Sequence, residues 1–248
     1  MRTIRLYQNQ TLHLGQTIQL DAAGFHHAIK VLRLTQGDWV TVFNGQGGAF
    51  AGQLTDVTRK LACLQLTHFL EEDNTSPLKL NIGQVMSRGE RMDWVMQKTT
   101  ELGVQTLTPL TSEYCEVKFQ QERLSKKVTH WQKIILGACE QCGVNKPPVL
   151  HPPTQLVSWL KTVTTPVRLL LHPAPPDQQL DIQQYLTHNP GDVTVLIGPE
   201  GGFSQTETLL AQQAGFVHWQ LGPRILRTET APIAALSILQ YLLGDLNG

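Results

Sequence analysis

The first seventy residues alternate hydrophobic and polar positions in short runs, which is the pattern of half-buried β-strands. Strands are predicted at residues 4–7, 17–20, 38–43, 49–57 and 61–69, with one helix at 22–32. Turn-forming residues separate them at Gly37-Asp38 and at 44–48. Small closed β-barrels of this kind often bind nucleic acid. The polar segment 71–77 lacks hydrophobic periodicity and predicts a linker, so the first domain is expected at 1–72.

From Leu78 onward, buried-strand patterns alternate with helical patterns, which predicts a parallel α/β sheet. The predicted strands are 80–86, 104–110, 167–171, 193–197 and 216–221, and the predicted helices are 91–102, 121–142 and 232–243. The last helix is hydrophobic nearly all round, so we expect it to be buried on more than one side, with a subunit interface as a second partner. The second domain is expected at 77–248.

The composition bounds the class of protein. The chain has 248 residues, of which 41% are hydrophobic and 16% charged, as in a globular protein with a real core. The 20 basic and 20 acidic residues cancel, so any nucleic-acid footprint must be a local patch. No hydrophobic run approaches the roughly 18 residues of a membrane span, and the first residues lack a signal-peptide core. A cytoplasmic protein is therefore expected.

The four cysteines, Cys63, Cys115, Cys139 and Cys142, predict reduced thiols, because most of them lie inside predicted strands or helices. Cys139 and Cys142 form a C-x-x-C pair, but no second Cys or His pair stands at zinc spacing. Two cysteines three residues apart in a helix pack more readily than they bind a metal. We expect no metal site.

Two glycine-bearing loops near the end of the chain each follow a hydrophobic run and precede a helical pattern. They read IGPEGGFS at 197–204 and LGPRILRTETA at 221–231. Such loops emerge at the carboxyl ends of parallel strands, where open α/β sheets bind their ligands. Gly198, Gly201 and Gly202 permit positive φ and close backbone approach, and residues 204–207 predict a capping box. One small-molecule pocket built mainly from backbone is the expectation.

Glu200 indicates which ligands such a pocket disfavours. A phosphate-binding loop offers bare N–H groups and a lysine at the helix start, whereas this loop carries a carboxylate and no Gly-Lys-Ser/Thr. A neutral or cationic ligand fits better. The alternative is a tight βα turn in which Glu200 serves only as an anion at a helix N-terminus.

Five segments, in order and over essentially the whole chain, resemble the bacterial 16S rRNA uracil-N3 methyltransferases of the RsmE type, members of the trefoil-knot SPOUT superfamily. Besides the two loops, they are QVMSRGERMDWVMQKTTELG at 84–103, ACEQCG at 138–143 and HHAIKVLR at 26–33. One departure stands at Val144, where the family usually has an arginine. The work of that arginine is either lost here or falls to Lys146, which lacks the bidentate fork.

The resemblance implies a fold and a reaction. The fold is α/β, with an N-terminal PUA-like RNA-binding β-barrel and a C-terminal SPOUT trefoil-knot domain. The pattern alone would favour a Rossmann-like second domain, because knots are almost absent from proteins. The implied reaction methylates N3 of a specific uridine in 16S rRNA in the small ribosomal subunit. It uses S-adenosyl-L-methionine (SAM), and the implied assembly is a homodimer with composite sites. A SPOUT enzyme acting on another base or ribose, and a non-catalytic RNA-binding module, remain alternatives.

The expected SAM pocket is formed by three stretches of chain. Backbone groups of Leu221, Leu226 and Ala231 are expected to read the adenine edge, and Glu200 to lie near the ribose hydroxyls or the sulfonium. The full predicted set of cofactor residues is Leu171, His172, Pro173, Ile197, Gly198, Pro199, Glu200, Gly201, Gly202, Leu221, Gly222, Ile225, Leu226, Thr228, Thr230 and Ala231.

The imide proton of uracil N3 must leave for methylation, and a carboxylate within hydrogen-bond reach assists as general base. Glu229 is the first candidate, with Glu101 and Glu140 as others; the alternative role of Glu229 is helix capping. Arg224 and Arg227 are candidates to neutralise charge on the uracil oxygen.

RNA affinity comes mostly from phosphate contacts, so basic side chains are the candidates to bind RNA. The predicted RNA-binding residues are Arg2, Arg5, Lys30 and Arg33 on the barrel, and Arg88, Arg91 and Lys98 at the entrance to the catalytic domain.

Overall fold

The computed structural model describes residues 4–72, 74–117, 121–173, 180–187 and 191–247. Arg2, one of the predicted RNA-binding residues, lies outside these ranges. The chain divides into two compact units: Met1–Thr75 with Leu136–Pro147, and Ser76–Ile135 with Pro148–Gly248. Residues 136–147 therefore belong to the first unit, although they follow the predicted linker. The predicted domain bounds, 1–72 and 77–248, remain a prediction.

The first unit is built on one sheet, which has five strands within the described residues. Its strands are β1 (Arg5–Tyr7), β2 (Thr17–Gln19), β3 (Trp39–Phe43), β4 (Ala49–Val57) and β5 (Ala62–Leu70), in the order β1-β3-β4-β5-β2. The β1–β3 pair is parallel and the other pairs are antiparallel. Alternate side chains such as Leu6, Val42 and Leu64 point into one hydrophobic core.

The helix predicted at 22–32 is present but changes its winding. Helix α1 (Ala22–Phe25) is followed directly by a π-helix at His26–Val31. The Asp21 side chain caps α1 by accepting from Gly24 N. Arg33 then adopts φ +58°, the one left-handed non-glycine residue among those described. Single-turn π-helices and left-handed residues concentrate at functional positions, and neither is encoded in a hydrophobic repeat.

The carboxyl-terminal end of helix α3 (Gln121–Cys142) contacts the strands of the first unit through side-chain hydrogen bonds. The helix has the bounds predicted from sequence. Glu140 accepts from the Tyr7 backbone N–H at 2.9 Å and lies 3.6 Å from the His27 ring. Arg5 donates to the Gly143 carbonyl at 3.2 Å and to Asn145. These bonds link positions more than a hundred residues apart, so no local pattern predicts them.

The second unit contains a wholly parallel sheet. Its strands within the described ranges are β6 (Lys79–Val85), β7 (Val104–Thr111), β8 (Val149–Leu150), β9 (Thr154–Gln155), β10 (Val167–Leu171), β11 (Asp192–Ile197) and β12 (Val217–His218). Their order is β12-β10-β11-β6-β7-β8, with β9 also paired to β7. The carboxyl ends of β10, β11 and β6 are neighbours, because Leu171 pairs with Ile197 and Ile197 with Gln84. The predicted parallel sheet is confirmed.

Five helices within the described ranges follow or connect the strands of this sheet. They are α2 (Arg91–Glu101), α4 (Leu156–Leu160), α5 (Ile182–Tyr185), α6 (Gln205–Gln213) and α7 (Thr230–Leu243). The predicted capping box at the start of α6 is confirmed, because Ser204 Oγ accepts from Glu207 N while the Glu207 carboxylate accepts from Ser204 N. Ala235, Leu236 and Leu239 of α7 are buried.

Two predicted bounds in this unit need correction. The strand predicted at 216–221 spans only Val217–His218, because the chain turns before Gly222-Pro223, where Gln220 Nε2 bonds the Gly222 carbonyl. Helix α7 begins at Thr230 and not at residue 232, since Pro232 is tolerated in a first turn, where its N–H is not needed. Helix α7 leaves Ile238 and Tyr241 exposed within this chain, and the subunit interface expected for this helix stays a prediction.

Three further findings concern metal binding, membrane spans and one thiol. In the described ranges, no group of three or more His, Cys, Asp or Glu side chains could hold a metal ion, and no helix is long and hydrophobic enough to cross a membrane. Burial raises the pKa of Cys139 to about 12, so this thiol stays protonated at neutral pH.

Candidate functional site

The two glycine-bearing loops meet in one pocket at the carboxyl ends of β10 and β11. Its cavity volume is about 460 Å³, within the range of roughly 300–1,000 Å³ that is common for small-molecule sites. The walls are the residues after β10 (171–173), the loop after β11 (197–203) and the loop before α7 (225–229 and Ala231), with Arg91 of α2. The predicted meeting of these three stretches is therefore observed.

A buried threonine holds the two loops together. Thr228, which is 6% exposed, donates its hydroxyl to the Gly198 carbonyl at 2.8 Å. The same hydroxyl accepts from Gln84 Nε2 at 3.0 Å, and Gln84 also donates to the Val85 carbonyl. The hydroxyl thereby ties the loop before α7 to the loop after β11 and to the end of β6. One hydroxyl therefore connects three segments of the pocket.

Two glycines of the first loop lie close to aromatic side chains, and the third adopts a positive φ. A Cβ on Gly198 would lie 2.9 Å from the Phe203 ring, and one on Gly201 would lie 3.2 Å from Tyr114 Cβ. Gly202 adopts φ +71° in a turn closed by its N–H bond to the Pro199 carbonyl. Of the three glycines expected to permit positive φ, only Gly202 uses it. The loop backbone can thus lie directly against a ligand.

Arg91 lies between two carboxylates at the edge of the pocket. Its guanidinium pairs with Glu200, and its Nε lies 3.8 Å from Glu229 Oε2. That Glu229 oxygen is buried and has no hydrogen-bond partner among the described residues. A buried carboxylate oxygen with an open acceptor position is a group that a ligand proton can satisfy.

His172 follows β10 and contacts aromatic neighbours. Its ring centroid lies 6.1 Å from that of Phe203 and 5.7 Å from that of His218. Burial, with a smaller contribution from the charge of His218, holds the pKa of His172 below its ordinary value. The imidazole at this wall is therefore neutral at pH 7. A neutral wall suits a cationic ligand better than a charged one does.

Most of the predicted cofactor residues line the pocket, and three do not. Leu221, Gly222 and Thr230 are absent from its walls, and Gly222 lines a separate cavity with Gln220 and Pro223. Ile225 lies on the wall but is 95% exposed, so its outer face is free for a ligand. Contact between any of these residues and a ligand remains a prediction.

The candidate catalytic residues separate into two groups. Glu229 and Arg227 line the pocket, whereas Arg224 is exposed outside its walls. Glu229 is also the residue that precedes α7, but its side chain makes no capping bond, so capping does not account for it. Of the other candidate bases, Glu140 accepts from Tyr7 in the first unit, and Glu101 is paired with Lys98 at 2.8 Å.

The predicted RNA-binding residues have different environments. Lys30 and Arg33 lie on and just after the π-helix, and both are exposed apart from a Lys30 contact with the Phe25 ring. Arg5 is half-buried, and burial lowers its pKa. Arg88 pairs with Glu116, and Lys98 lies over the Trp94 ring. Near the departure at Val144, Lys146 is exposed.

Two functional positions were not found by sequence reasoning. Arg91 was expected at an RNA surface, yet it lines the pocket because α2 begins beside the loops. Phe203 also lines the pocket and packs on His172. The signal for Phe203 was its place directly after two glycines, where a side chain can fold back over the loop; Arg91 gave no comparable local signal.

Comparison with known proteins gives matches over almost the whole chain. A family described as an RNA methyltransferase domain matches residues 74–240, and an RNA methyltransferase PUA domain matches residues 20–67. The protein named ribosomal RNA small subunit methyltransferase E from Buchnera aphidicola (subspecies Schizaphis graminum) is 35% identical over 99% of each chain. The protein of the same name from Bacillus subtilis is 29% identical over 96% of this chain and 95% of its own.

Two solved structures share the fold and carry the same cofactor. A protein from Legionella pneumophila, in complex with SAM, has a TM-score of 0.94 and 43% identity, covering 99% of this chain and all of its own. A ribosomal RNA small subunit methyltransferase E from Neisseria gonorrhoeae, bound to S-adenosyl methionine, has a TM-score of 0.89 and 36% identity over the same shares. The expected class, an α/β SPOUT methyltransferase domain preceded by a PUA-like domain, is confirmed.

Proposed function

Because this chain belongs to the ribosomal RNA small subunit methyltransferase E family, we propose that it catalyses SAM-dependent methylation of N3 of a uridine in 16S rRNA. The position proposed is uridine 1498. The observation that carries the reaction is the Glu229 carboxylate oxygen at the edge of a backbone-built pocket, which is buried, lies 3.8 Å from Arg91 and has no hydrogen-bond partner among the described residues. A proton acceptor and a small-molecule site therefore lie side by side.

The pocket residues fit SAM. The cavity is large enough for a cofactor of this size, and Gly198, Gly201 and Gly202 let the loop backbone approach it closely. Glu200 supplies a negative charge and His172 a neutral ring, both compatible with a cationic sulfonium. Ile225 and Leu226 supply apolar surface for the adenine ring. The sixteen residues predicted to bind the cofactor remain proposed for that role, with Leu221, Gly222 and Thr230 the least supported because they are not on the pocket wall.

SAM supplies the methyl group when it is bound, and the protein supplies orientation and proton transfer. The Glu229 carboxylate would accept the proton from uracil N3 and leave the nitrogen lone pair free for the methyl group, whose bond to the sulfonium sulfur would break with release of a neutral thioether. Arg91 holds Glu229 in place by its contact at 3.8 Å. Because the transfer destroys charge, alignment of the reacting atoms and exclusion of water matter more than charge stabilisation.

The uracil oxygens need donors once the N3 proton has left. Arg227 lines the pocket beside Glu229 and is proposed to donate to a uracil oxygen. Arg224 is exposed outside the pocket walls, so its proposed catalytic role requires either loop movement or contact with RNA phosphate. The two arginines can be distinguished by kinetics, since a phosphate contact changes KM for RNA and an oxygen contact changes kcat.

The target base must be unstacked to enter the pocket. Phosphate contacts by Arg2, Arg5, Lys30 and Arg33 of the first unit, and by Arg88, Arg91 and Lys98 of the second, are proposed to supply most of the affinity for RNA. Arg5 is the weakest member of this set, because its guanidinium already donates to Gly143 and Asn145. Arg91 has a competing role at the pocket.

We also propose a homodimer, a trefoil knot and a cytoplasmic location. Helix α7 is hydrophobic and exposes two large hydrophobic side chains, Ile238 and Tyr241. This exposure supports a second copy of the chain as the partner of that helix. The knot is proposed from the family alone. The location follows from the proposed substrate, since ribosomal RNA is made and assembled in the cytoplasm.

The proposal is tested with purified protein in two steps. Isothermal titration should show SAM binding, and an assay with methyl-labelled SAM and small ribosomal subunits should show label in RNA. Absence of SAM binding at millimolar cofactor would contradict an enzymatic role. Binding of SAM with transfer to another base would contradict the uridine assignment and leave the methyltransferase role intact.

A further inference from the structure

Two further cavities extend from the pocket over the first turn of α2. The first shares Arg91, Arg227 and Glu229 with the pocket, and the second shares residues 88–90 and Glu116 with the first. Each has a volume of about 570 Å³. We name the surface formed by residues 87–91, Trp94, Glu116, Lys127 and Arg227 the α2 groove. It runs from the proposed base Glu229 to Lys127 on α3.

One end of the α2 groove has the groups that bind an anion. Ser87 is 5% exposed, lines the cavity, and its hydroxyl has no hydrogen-bond partner among the described residues. Helix α2 begins four residues later, at Arg91, and the side chain of Glu90 at its N-cap makes no capping bond. The first N–H groups of an uncapped helix carry partial positive charge and bind phosphate. A buried hydroxyl and a helix N-terminus thus face the same cavity.

Charged side chains of both signs line this end of the α2 groove. Arg88 and Lys127 are basic, and Glu90, Asp93 and Glu116 are acidic. Asp93 is already engaged, because it accepts from Trp131 Nε1 at 3.1 Å and lies 2.8 Å from His130 Nε2.

The remaining acids leave room for an incoming anion. The Arg88–Glu116 pair is 67% and 61% exposed, and such surface pairs contribute little, so Arg88 can exchange Glu116 for a phosphate. Two carboxylates then oppose the anion at this end of the groove: Glu90 at the N-cap, and Glu116 once Arg88 has left it.

The other end of the α2 groove has the groups that bind a base. Trp94 is 54% exposed although it is a large aromatic side chain, and it lines the cavity that reaches Glu229. Unstacked bases bind to proteins by stacking on such rings. The Arg227 guanidinium is exposed and has no bond to a described residue. A stacking surface, a free donor and a proton acceptor therefore lie together.

We propose that the α2 groove is the binding site for the target nucleotide of the RNA. Trp94 stacks on a base, Arg227 and Glu229 meet the uracil edge, and Ser87, Arg88 and the start of α2 bind an adjoining phosphate. This inference rests on the proposed function, since it names the substrate site of the same reaction. Glu90 weakens phosphate binding at this site, because it places a negative charge at the same helix N-terminus.

The test is the affinity of the full-length protein for a fluorescently labelled single-stranded uridine-containing oligoribonucleotide, measured by anisotropy with SAM present. Ser87→Ala should weaken binding by about tenfold to hundredfold, the worth of a hydrogen bond to a charged group. It should not lower the melting temperature, because it removes a buried hydroxyl that lacks a partner. Ser112→Ala is the matched control, since Ser112 also has a buried hydroxyl without a described partner and lies outside the groove. An equal loss of RNA affinity in the two variants would contradict the proposed site. Unchanged RNA affinity in Ser87→Ala would contradict it as well.

Four further variants have distinct expected effects. Glu90→Gln should strengthen RNA binding, Trp94→Phe should preserve most of it, and Trp94→Leu should lose it although the apolar bulk remains. Lys127→Ala should reduce the slope of log affinity against log salt by about 0.7, with Lys126→Ala, outside the groove, as control. If Trp94 lies instead at a subunit interface, Trp94→Leu changes the mass in solution and the stacking role is refuted. If wild-type protein transfers no methyl group, the proposed function fails; if it does and these variants bind RNA normally, only the groove fails.

Discussion

Replacement of Thr228 by valine tests whether one hydroxyl organises the cofactor pocket. Valine has nearly the same shape, so the change removes a hydroxyl without leaving a cavity. The hydroxyl donates to Gly198 at 2.8 Å and accepts from Gln84 at 3.0 Å. Because Gly198 and Gln84 belong to different segments of the pocket, loss of the two hydrogen bonds should let these segments separate.

The magnitude follows from the number of bonds lost. Each net hydrogen bond contributes about 1 kcal/mol, and a buried carbonyl left without its donor adds a similar penalty. Thr228→Val should therefore lower the free energy of unfolding by about 2–3 kcal/mol, which corresponds to a fall in melting temperature of roughly 5–10 °C for a chain of this size. We expect SAM affinity to fall by about tenfold or more, because the apo loops no longer hold the binding geometry.

The assay pairs thermal unfolding with isothermal titration of SAM. Thr100→Val is the matched control: Thr100 is 1% exposed, and its hydroxyl bonds only the Met96 carbonyl within α2. The control should lose about 1 kcal/mol of stability and keep its SAM affinity. If Thr228→Val loses stability but binds SAM as the wild type does, the threonine stabilises the fold and does not organise the pocket.

Three other changes probe the same site. Gly201→Val should abolish SAM binding, because its Cβ would lie 3.2 Å from Tyr114 and its branches closer, while RNA affinity stays within about threefold; equal loss of both would contradict separate sites. Glu229→Gln should lower kcat by about 10²–10⁴ with SAM affinity unchanged, as expected for loss of a general base; a normal kcat would exclude Glu229. The pKa of His172 lies below its ordinary 6.5 in the fold, so the unfolded chain binds the proton first as pH falls. The contribution of His172 to stability should thus be constant above about pH 6.5 and decrease below it. SAM affinity should decrease only at the lower pH at which the folded-state imidazole gains its proton. Both changes should be smaller in His172→Gln, and identical pH profiles for the two proteins would refute this.

Local pattern predicted the elements of the fold well where hydrophobic repeats are strong. Helix α3 and strand β10 have the predicted bounds, and the capping box at Ser204 is present. The short extent of β12 within the strand predicted at 216–221, and the π winding at His26–Val31 within the helix predicted at 22–32, were not predicted, because they are set by tertiary contacts and by turn geometry. The bonds of Arg5 and Tyr7 to residues 140–145 belong to the same class.

The site was predictable as far as it is built from contiguous loops. Residues 171–173 and 197–202 were placed in the pocket from their position after predicted strands, which fixes backbone but not side-chain partners. Arg91 lies far from both loops in sequence, and its pairing with Glu200 and Glu229 depends on where α2 begins in space. The Glu229 oxygen that is buried without a hydrogen-bond partner among the described residues is likewise a property of the packed structure. Chemistry that depends on such through-space contacts has no signature in a single sequence.

The central claim is that this protein methylates N3 of a uridine in 16S rRNA with SAM as donor. Mass spectrometry of nucleosides from small-subunit RNA tests it most directly, in a strain from which the gene is deleted. We expect that 3-methyluridine is lost on deletion, restored by the wild-type gene, and not restored by Glu229→Gln. Persistence of 3-methyluridine in the deletion strain would contradict the claim.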